Sequence, residues 1–175
     1  SSRQFLAGAI GIIDGFEVQF PRQTGELMYS GKKGCHTINT LIVVDFKRYI
    51  RYFVTGIPGK INDRAAWTAC PLYLAAHEYF SPGEYLLADG GFEGPGSNLL
   101  VSYKMPKSQM QIEFNSAFTD VRKSVECAIG DLKAWAYVLQ GNTWRYDVSL
   151  FGMVVQATCV LHNYKLRTRQ IEYDV

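Results

Sequence analysis

This 175-residue chain carries few charges, 19% Asp, Glu, Lys and Arg together, and they nearly cancel to a formal net +2. So even a balance gives no sign of nucleic acid in the overall charge and leaves a local basic patch for that role. Soft metal ligands are also scarce. Cys35, Cys70, Cys127 and Cys159 stand singly with no C-x-x-C pair, and His36 and His77 show no ligand-like spacing. That pattern argues against a zinc site or a disulfide framework and for buried reduced thiols in an intracellular protein. No apolar run approaches the roughly 20 residues that span a bilayer, so no membrane association is expected. Internal repeats, low-complexity tracts and linkers are missing too. The chain opens Ser1-Ser2-Arg3, with neither Met nor a signal-peptide pattern, and is expected to be a fragment of something longer. What is abundant is apolar: 47% hydrophobic and 14% aromatic residues suffice for the core of one domain.

Read along the chain, 7–13 forms a buried strand stopped by Asp14-Gly15, and 16–34 is turn-rich, with Pro21, Gly25, Gly31 and Gly34. The β-branched run 37–45 predicts a strand, Asp45-Phe-Lys-Arg48 a turn, and 49–55 a second strand with Ile50, Tyr52 and Val54 on one face. Together they read as an antiparallel hairpin ended by Gly56-Ile-Pro58-Gly59. Asn62 or Asp63 then caps a helical region that Pro71 interrupts. Residues 85–88 give another buried strand, 99–101 a short one, and 102–111 a polar loop. Asn115 or Ser116 is expected to cap a helix with Val121, Val125, Ile129 and Leu132 on one stripe and Arg122, Glu126, Gly130 and Lys133 on the next. A last helix, about 148–164, has Leu150, Val154, Ala157 and Leu161 as its expected buried face. Trp67, Trp135 and Trp144 read as packing residues, and His162-Asn163 as a structural hydrogen-bonding pair. Three early strands, a helix, a further strand and more helices predict an α/β fold with a mixed sheet flanked by helices.

Within this pattern Asp14 and Asp89 each follow an apolar run and precede glycine, and Glu126 sits on a helix. An Asp-Gly alone is a turn signal, and a lone helical Glu is usually a solvated partner of Arg or Lys. Acids at the ends of buried strands, however, are costly without partners. Ligands gather outside the carboxyl ends of parallel strands, where Asp14 and Asp89 would meet if their strands are adjacent and parallel. A divalent metal would pair all three acids, in a layout suited to phosphodiester chemistry.

Six pieces in order, IIDG, YSGKKGCHTIN, GKIND, LLADGGF, VECAIGDLK and VLHN, resemble the catalytic domain of Harbinger-type DDE transposases from about Gly8 to Lys165. The resemblance implies an RNase H-like fold and a single DDE endonuclease catalytic domain over 1–175. It also implies that the DNA-binding region lies in a separate N-terminal segment or protein, and that the site of action is the nucleus. Residue by residue, it assigns the catalytic triad to Asp14, Asp89 and Glu126. Asp63 matches an auxiliary acid and reads either as a metal ligand or only as a helix cap. Two departures stand out: Phe16-Glu17 where the family has a small polar residue and then histidine, and Lys60 where it has serine.

The activity that the resemblance implies is that of a DNA endonuclease or transposase using Mg²⁺ (or Mn²⁺). Asp14 would bridge two ions, with Asp89 on one, Glu126 on the other and Asp63 auxiliary. Water activated there would cut a DNA strand, and in a transposase the freed 3′-hydroxyl would attack target DNA. Lys32, Lys33, Lys104, Arg122 and Lys133 are the candidate phosphate contacts, which position DNA without reading its sequence. Glu17 and Lys60 motivate the alternative, a catalytically inactive domesticated transposase domain acting in DNA binding or protein association.

Overall fold

The computed structural model describes residues 6–20, 25–94, 98–140 and 147–173; Pro21 and Trp144 lie outside them. The strands are β1 (Ala9–Gln19), β2 (Tyr29–Ser30), β3 (Cys35–Val44), β4 (Ile50–Pro58), β5 (Tyr85–Leu87) and β6 (Leu99–Leu100). The helices are α1 (Asp63–Thr68), α2 (Pro71–Leu74), α3 (Ala76–Tyr79), α4 (Gln109–Trp135) and α5 (Phe151–Tyr173). Hydrogen bonding orders one mixed sheet β2-β3-β1-β5-β6, with β4 on β3. β1 and β4 run antiparallel to β3, while β5 is parallel to β1 and β6 to β5. This mixed sheet between helical layers is the RNase H-like arrangement.

Alternation along β1 sorts its side chains between two cores. Ile12, Phe16, Val18 and Phe20 join Val125, Leu132, Phe151 and Val155 beneath α4 and α5. Ile13 points the other way and packs with Leu41, Val43, Ala66, Trp67 and Phe92 beneath α1 and the turn Gly90–Phe92. Trp67 is a core residue, and Trp135 packs at the edge of the first core. The pair in VLHN is structural. Asn163 accepts from the Ile50 N–H at 2.8 Å and donates to the Ile50 carbonyl at 2.9 Å, while His162 Nε2 donates to the Arg48 carbonyl at 3.0 Å. These bonds pin α5 to the start of β4.

Several boundaries differ from expectation. β1 runs through Asp14-Gly15 to Gln19, because β3 pairs with it as far as Gln19–Thr37 and supplies the partners that a turn would have had to provide. The α4 helix begins at Gln109, where the Ser108 hydroxyl accepts from the Gln111 N–H at 3.3 Å. Asn115, instead of capping, ties the preceding loop down through two bonds to Tyr103. The first turns of α4 are exposed, so they lack the apolar period by which a helix is read.

Ile50 does not share a face with Tyr52 and Val54. A register irregularity at Val43/Val44 turns it into the α4–α5 core, while the other two pack on the α1 side. On α5 the buried residues are Phe151, Val155, Thr158, Cys159 and His162; Ala157 and Leu161 are exposed, as is Leu150 just before the helix, and only Val154 of the expected set packs against the core. The buried stripe is thus turned by one residue. Only Cys70 and Cys159 are buried thiols; Cys127 is exposed and Cys35 half-buried, all four being free. No helix among the described residues is long and apolar enough to cross a membrane.

Candidate active site

The parallel ladder between β1 and β5 ends at Ile12–Leu87, and the next two residues bring Asp14 and Asp89 side by side beyond it. From there β1 continues with β3 alone, leaving a free edge around which residues from both sheet faces meet. They line a cleft of about 320 Å³: Asp14, Glu17, Asn39, Asp63, Asp89 and Glu126 with Lys32, Lys33 and Lys133. Asp14 therefore stands inside a strand and not at its end, but it is next to the switch point where a parallel sheet gathers ligands.

Each acid is placed by a different element. Asp14 comes from the α4 face of β1, and one carboxylate oxygen accepts from the Gly15 N–H at 2.8 Å. Asp89 opens the turn Gly90–Phe92 after β5, and Glu126 projects from α4. Asp63 arrives from the opposite face as the first residue of α1. Asn62 is the cap, its side chain accepting from the Ala65 N–H at 2.8 Å, which frees the Asp63 carboxylate for the cleft. There Asp63 accepts from Asn39 Nδ2 at 3.3 Å. Glycine at position 15 lets this pair lie over β1: a Cβ there would stand 3.1 Å from Asp63 Oδ1 and 3.2 Å from Asn39 Oδ1.

Arg122, one turn before Glu126 on α4, approaches the acids from the helix side, outside the cleft lining. Its guanidinium donates to Asp89 at 2.9 Å and lies 3.6 Å from Asp14 and 4.0 Å from Glu126. It thus partners all three acids of the expected triad. Burial pushes the Asp14 carboxyl above its ordinary value; the Gly15 N–H and Arg122 oppose that shift, and Asp63 and Asp89 add to it. Lys133 reaches in from α4, its ammonium 3.5 Å from the Glu17 carbonyl and 5.4 Å from the Phe16 ring centre. Its own burial and the neighbouring Lys33 push its ionisation down, against the pull of Glu17.

Of the five cations expected to meet phosphate, Lys32, Lys33 and Lys133 line the cleft, Arg122 is turned onto the acids, and Lys104 pairs with Glu93 outside the lining. Glu17 also lines the cleft, accepting from the Thr37 hydroxyl at 2.6 Å, whereas Lys60 lies beside Tyr29 and His36 on another surface. Asn39, the last residue of the piece YSGKKGCHTIN, is a cleft residue to which the sequence pattern gives no role. Its signal in the sequence is an amide inside the otherwise apolar and β-branched run of β3, where a buried polar group needs a partner.

The donor set fits a hard divalent cation, since carboxylate and amide oxygens are what Mg²⁺ and Mn²⁺ take. A buried, unpartnered acceptor, Asn39 Oδ1, lies among these acids. Among the described residues no three acidic, histidine or cysteine side chains converge tightly enough to hold an ion, and Arg122 supplies the compensating charge.

The sequence model of the family described as DDE superfamily endonuclease matches residues 13–163. Of the curated proteins, the mouse (Mus musculus) protein named "Putative nuclease HARBI1" is 26% identical over 164 residues, 92% of this chain and 47% of that protein. The human protein of the same name is 24% identical over an equal span, and that of Xenopus laevis 26% over 166 residues, 93% of this chain and 47% of its own. The chain thus spans about half the length of the curated relatives it matches. No solved structure matches it.

Proposed function

We propose that this chain, which belongs to the DDE superfamily endonucleases, is the catalytic domain of a metal-dependent DNA endonuclease of the Harbinger transposase type, acting on nuclear DNA. The observation that carries this reading is the meeting of Asp14, Asp63, Asp89 and Glu126, from four separate elements, in one cleft at the free edge of β1. Asp14, Asp89 and Glu126 are the catalytic acids and Asp63 a further ligand. Two divalent ions, Mg²⁺ or Mn²⁺, would supply an activated nucleophile and stabilise charge on the attacking and leaving oxygens. Without metal, the Gly15 N–H and Arg122 meet the charge of Asp14 and Asp89, a place that the ions would take over. Lys32, Lys33 and Lys133 on the cleft wall would take the phosphates flanking the scissile bond, fixing the strand without reading its bases. Choice of target belongs to a separate DNA-binding region or protein.

The contact of Arg122 with all three triad acids favours a second reading, an inactive domesticated domain that binds DNA or protein and keeps the acids neutralised by its own guanidinium. One assay separates the two: nicking of supercoiled DNA by the metal-supplemented protein and by Asp89→Asn, each shown to be folded by its thermal melt. The endonuclease nicks with Mg²⁺ or Mn²⁺, and Asp89→Asn abolishes it. Retained nicking by folded Asp89→Asn removes Asp89 from the chemistry, and no metal-dependent nicking by either folded protein supports the inactive domain.

A further inference from the structure

Asn39 is 4% exposed, and its side-chain oxygen has no hydrogen-bond partner. The orientation of the amide is fixed by its neighbour: Nδ2 donates to Asp63 Oδ1 at 3.3 Å, and the reversed amide would set oxygen against carboxylate. The free end is therefore the acceptor. A buried acceptor needs a donor or a cation. The acids around it, Asp14, Glu17 and Asp63, are acceptors when ionised, so they cannot meet that need. Lys133, which lines the cleft from α4, is directed to the Glu17 carbonyl instead. The glycine at position 15 leaves room for this pair beside the Leu41 side chain. Any side chain there would press on Asn39 Oδ1 and Asp63 Oδ1 together, at 3.2 and 3.1 Å, so both oxygens share one space over the strand.

We propose that Asn39 lends its side-chain oxygen, as a neutral donor, to a divalent-cation position shared with Asp63 on the α1 side of β1. The proposal rests on the carboxylate cleft being a metal centre. It adds a ligand from β3 and gives Asp63 a partner in coordination and not merely a hydrogen bond. Amide oxygens serve hard divalent cations in this way. A neutral ligand also suits the place, because the cleft already gathers five carboxylates, those of Asp14, Glu17, Asp63, Asp89 and Glu126. The register supports the same pairing: Asn39 lies opposite Glu17 on β1, so the amide is carried on the sheet face over which Asp63 arrives.

The test is calorimetric titration of the chelator-treated full chain with Mn²⁺, accompanied by melts in chelator and in Mn²⁺. Wild type, Asn39→Ala and Asn39→Asp are compared. The aspartate keeps an oxygen at the same place but lacks the Nδ2 donor. The expected result is Mn²⁺ affinity lowered roughly tenfold or more, or one ion lost from the stoichiometry, in Asn39→Ala. Asn39→Asp is expected to bind at least as tightly as wild type and to recover its melting temperature on adding Mn²⁺. If Asn39→Ala does not fold, Asn39→Leu, close in volume and unable to donate or accept, takes its place. Wild-type affinity in the alanine or leucine variant overturns the proposal while leaving the metal centre standing. Binding as weak in Asn39→Asp as in Asn39→Ala also overturns it, because Asn39 would then act only by orienting Asp63 through its donor. No saturable Mn²⁺ binding by wild type overturns the proposal and the metal centre together.

Discussion

Removing Arg122 should cost stability mainly when no metal is present. Its guanidinium is 16% exposed and meets Asp89 at 2.9 Å, Asp14 at 3.6 Å and Glu126 at 4.0 Å. Asp89 and Glu126 are 59% and 60% exposed, so water can replace much of what Arg122 gives them; Asp14, at 22%, is the acid that depends on it. Stripping one partner from a fully buried ion pair costs about 3–5 kcal/mol. With two of the three acids largely solvated, we expect roughly 2–3 kcal/mol for Arg122→Gln. In a domain of this size that lowers Tm by roughly 4–12 °C. Divalent metal at the same acids would take over the neutralisation, so saturating Mn²⁺ should close at least about half of the gap. By linkage the variant should also bind Mn²⁺ more tightly, on the order of tenfold. Melts in chelator and in Mn²⁺, with a Mn²⁺ titration, measure all three quantities. A Tm gap that Mn²⁺ leaves unchanged, or a variant that binds Mn²⁺ no tighter than wild type, refutes the reasoning and makes Arg122 a structural residue alone.

Burial raises the Asp14 carboxyl above its usual 3.8. Between that value and the raised one the folded protein binds a proton that the unfolded chain has released, so the stability due to Asp14 is full below 3.8 and is lost as pH rises through the raised value. Metal-free Asp14→Asn should thus be at least as stable as wild type near about pH 7, with the difference shrinking as pH falls; denaturant melts over a pH series check this, and a wild type clearly more stable at neutral pH contradicts it. Asn163→Ala leaves the Ile50 N–H and carbonyl without their side-chain partner and should cost about 1–3 kcal/mol in denaturant unfolding, with Mn²⁺ affinity unchanged. Replacing Lys32 and Lys33 together by alanine should weaken DNA binding alike for all sequences and flatten its dependence on log salt by roughly one unit for each phosphate no longer neutralised. An unchanged slope would place both lysines off the DNA.

The succession of most elements along the chain and the three candidate acids are legible in the sequence because they are written locally: β-branched runs, Asp-Gly junctions and a helical stripe carrying Glu126. The parallel adjacency of β1 and β5, which the acids need in order to meet, is shown by the Ile12–Leu87 register. Features that cannot be read there depend on partners distant in sequence. The Asp14-Gly15 pair looks like a turn until β3 is seen to continue β1 to Gln19. Arg122 looks like a phosphate contact on a helix face, and only the fold turns it onto Asp89, thirty-three positions away. Asn39 carries no spacing signal, because its neighbours Asp63 and Gly15 come from other elements. The buried face of α5 differs by one residue from the expected one because its true stripe carries polar Thr158 and His162, while Leu150 and Leu161 are apolar yet exposed. Side-chain type alone does not say which of two adjacent stripes faces the sheet.

The central claim is that the four acids at the free edge of β1 hold divalent metal. Crystals of the protein grown in Mn²⁺, with diffraction recorded at the manganese absorption edge, test it most directly. The expected result is anomalous peaks among the carboxylates of Asp14, Asp63, Asp89 and Glu126, and their absence from crystals of Asp14→Asn. A map from well-ordered Mn²⁺ crystals with no peak in the cleft, and with Arg122 still bonded to Asp89, would contradict it.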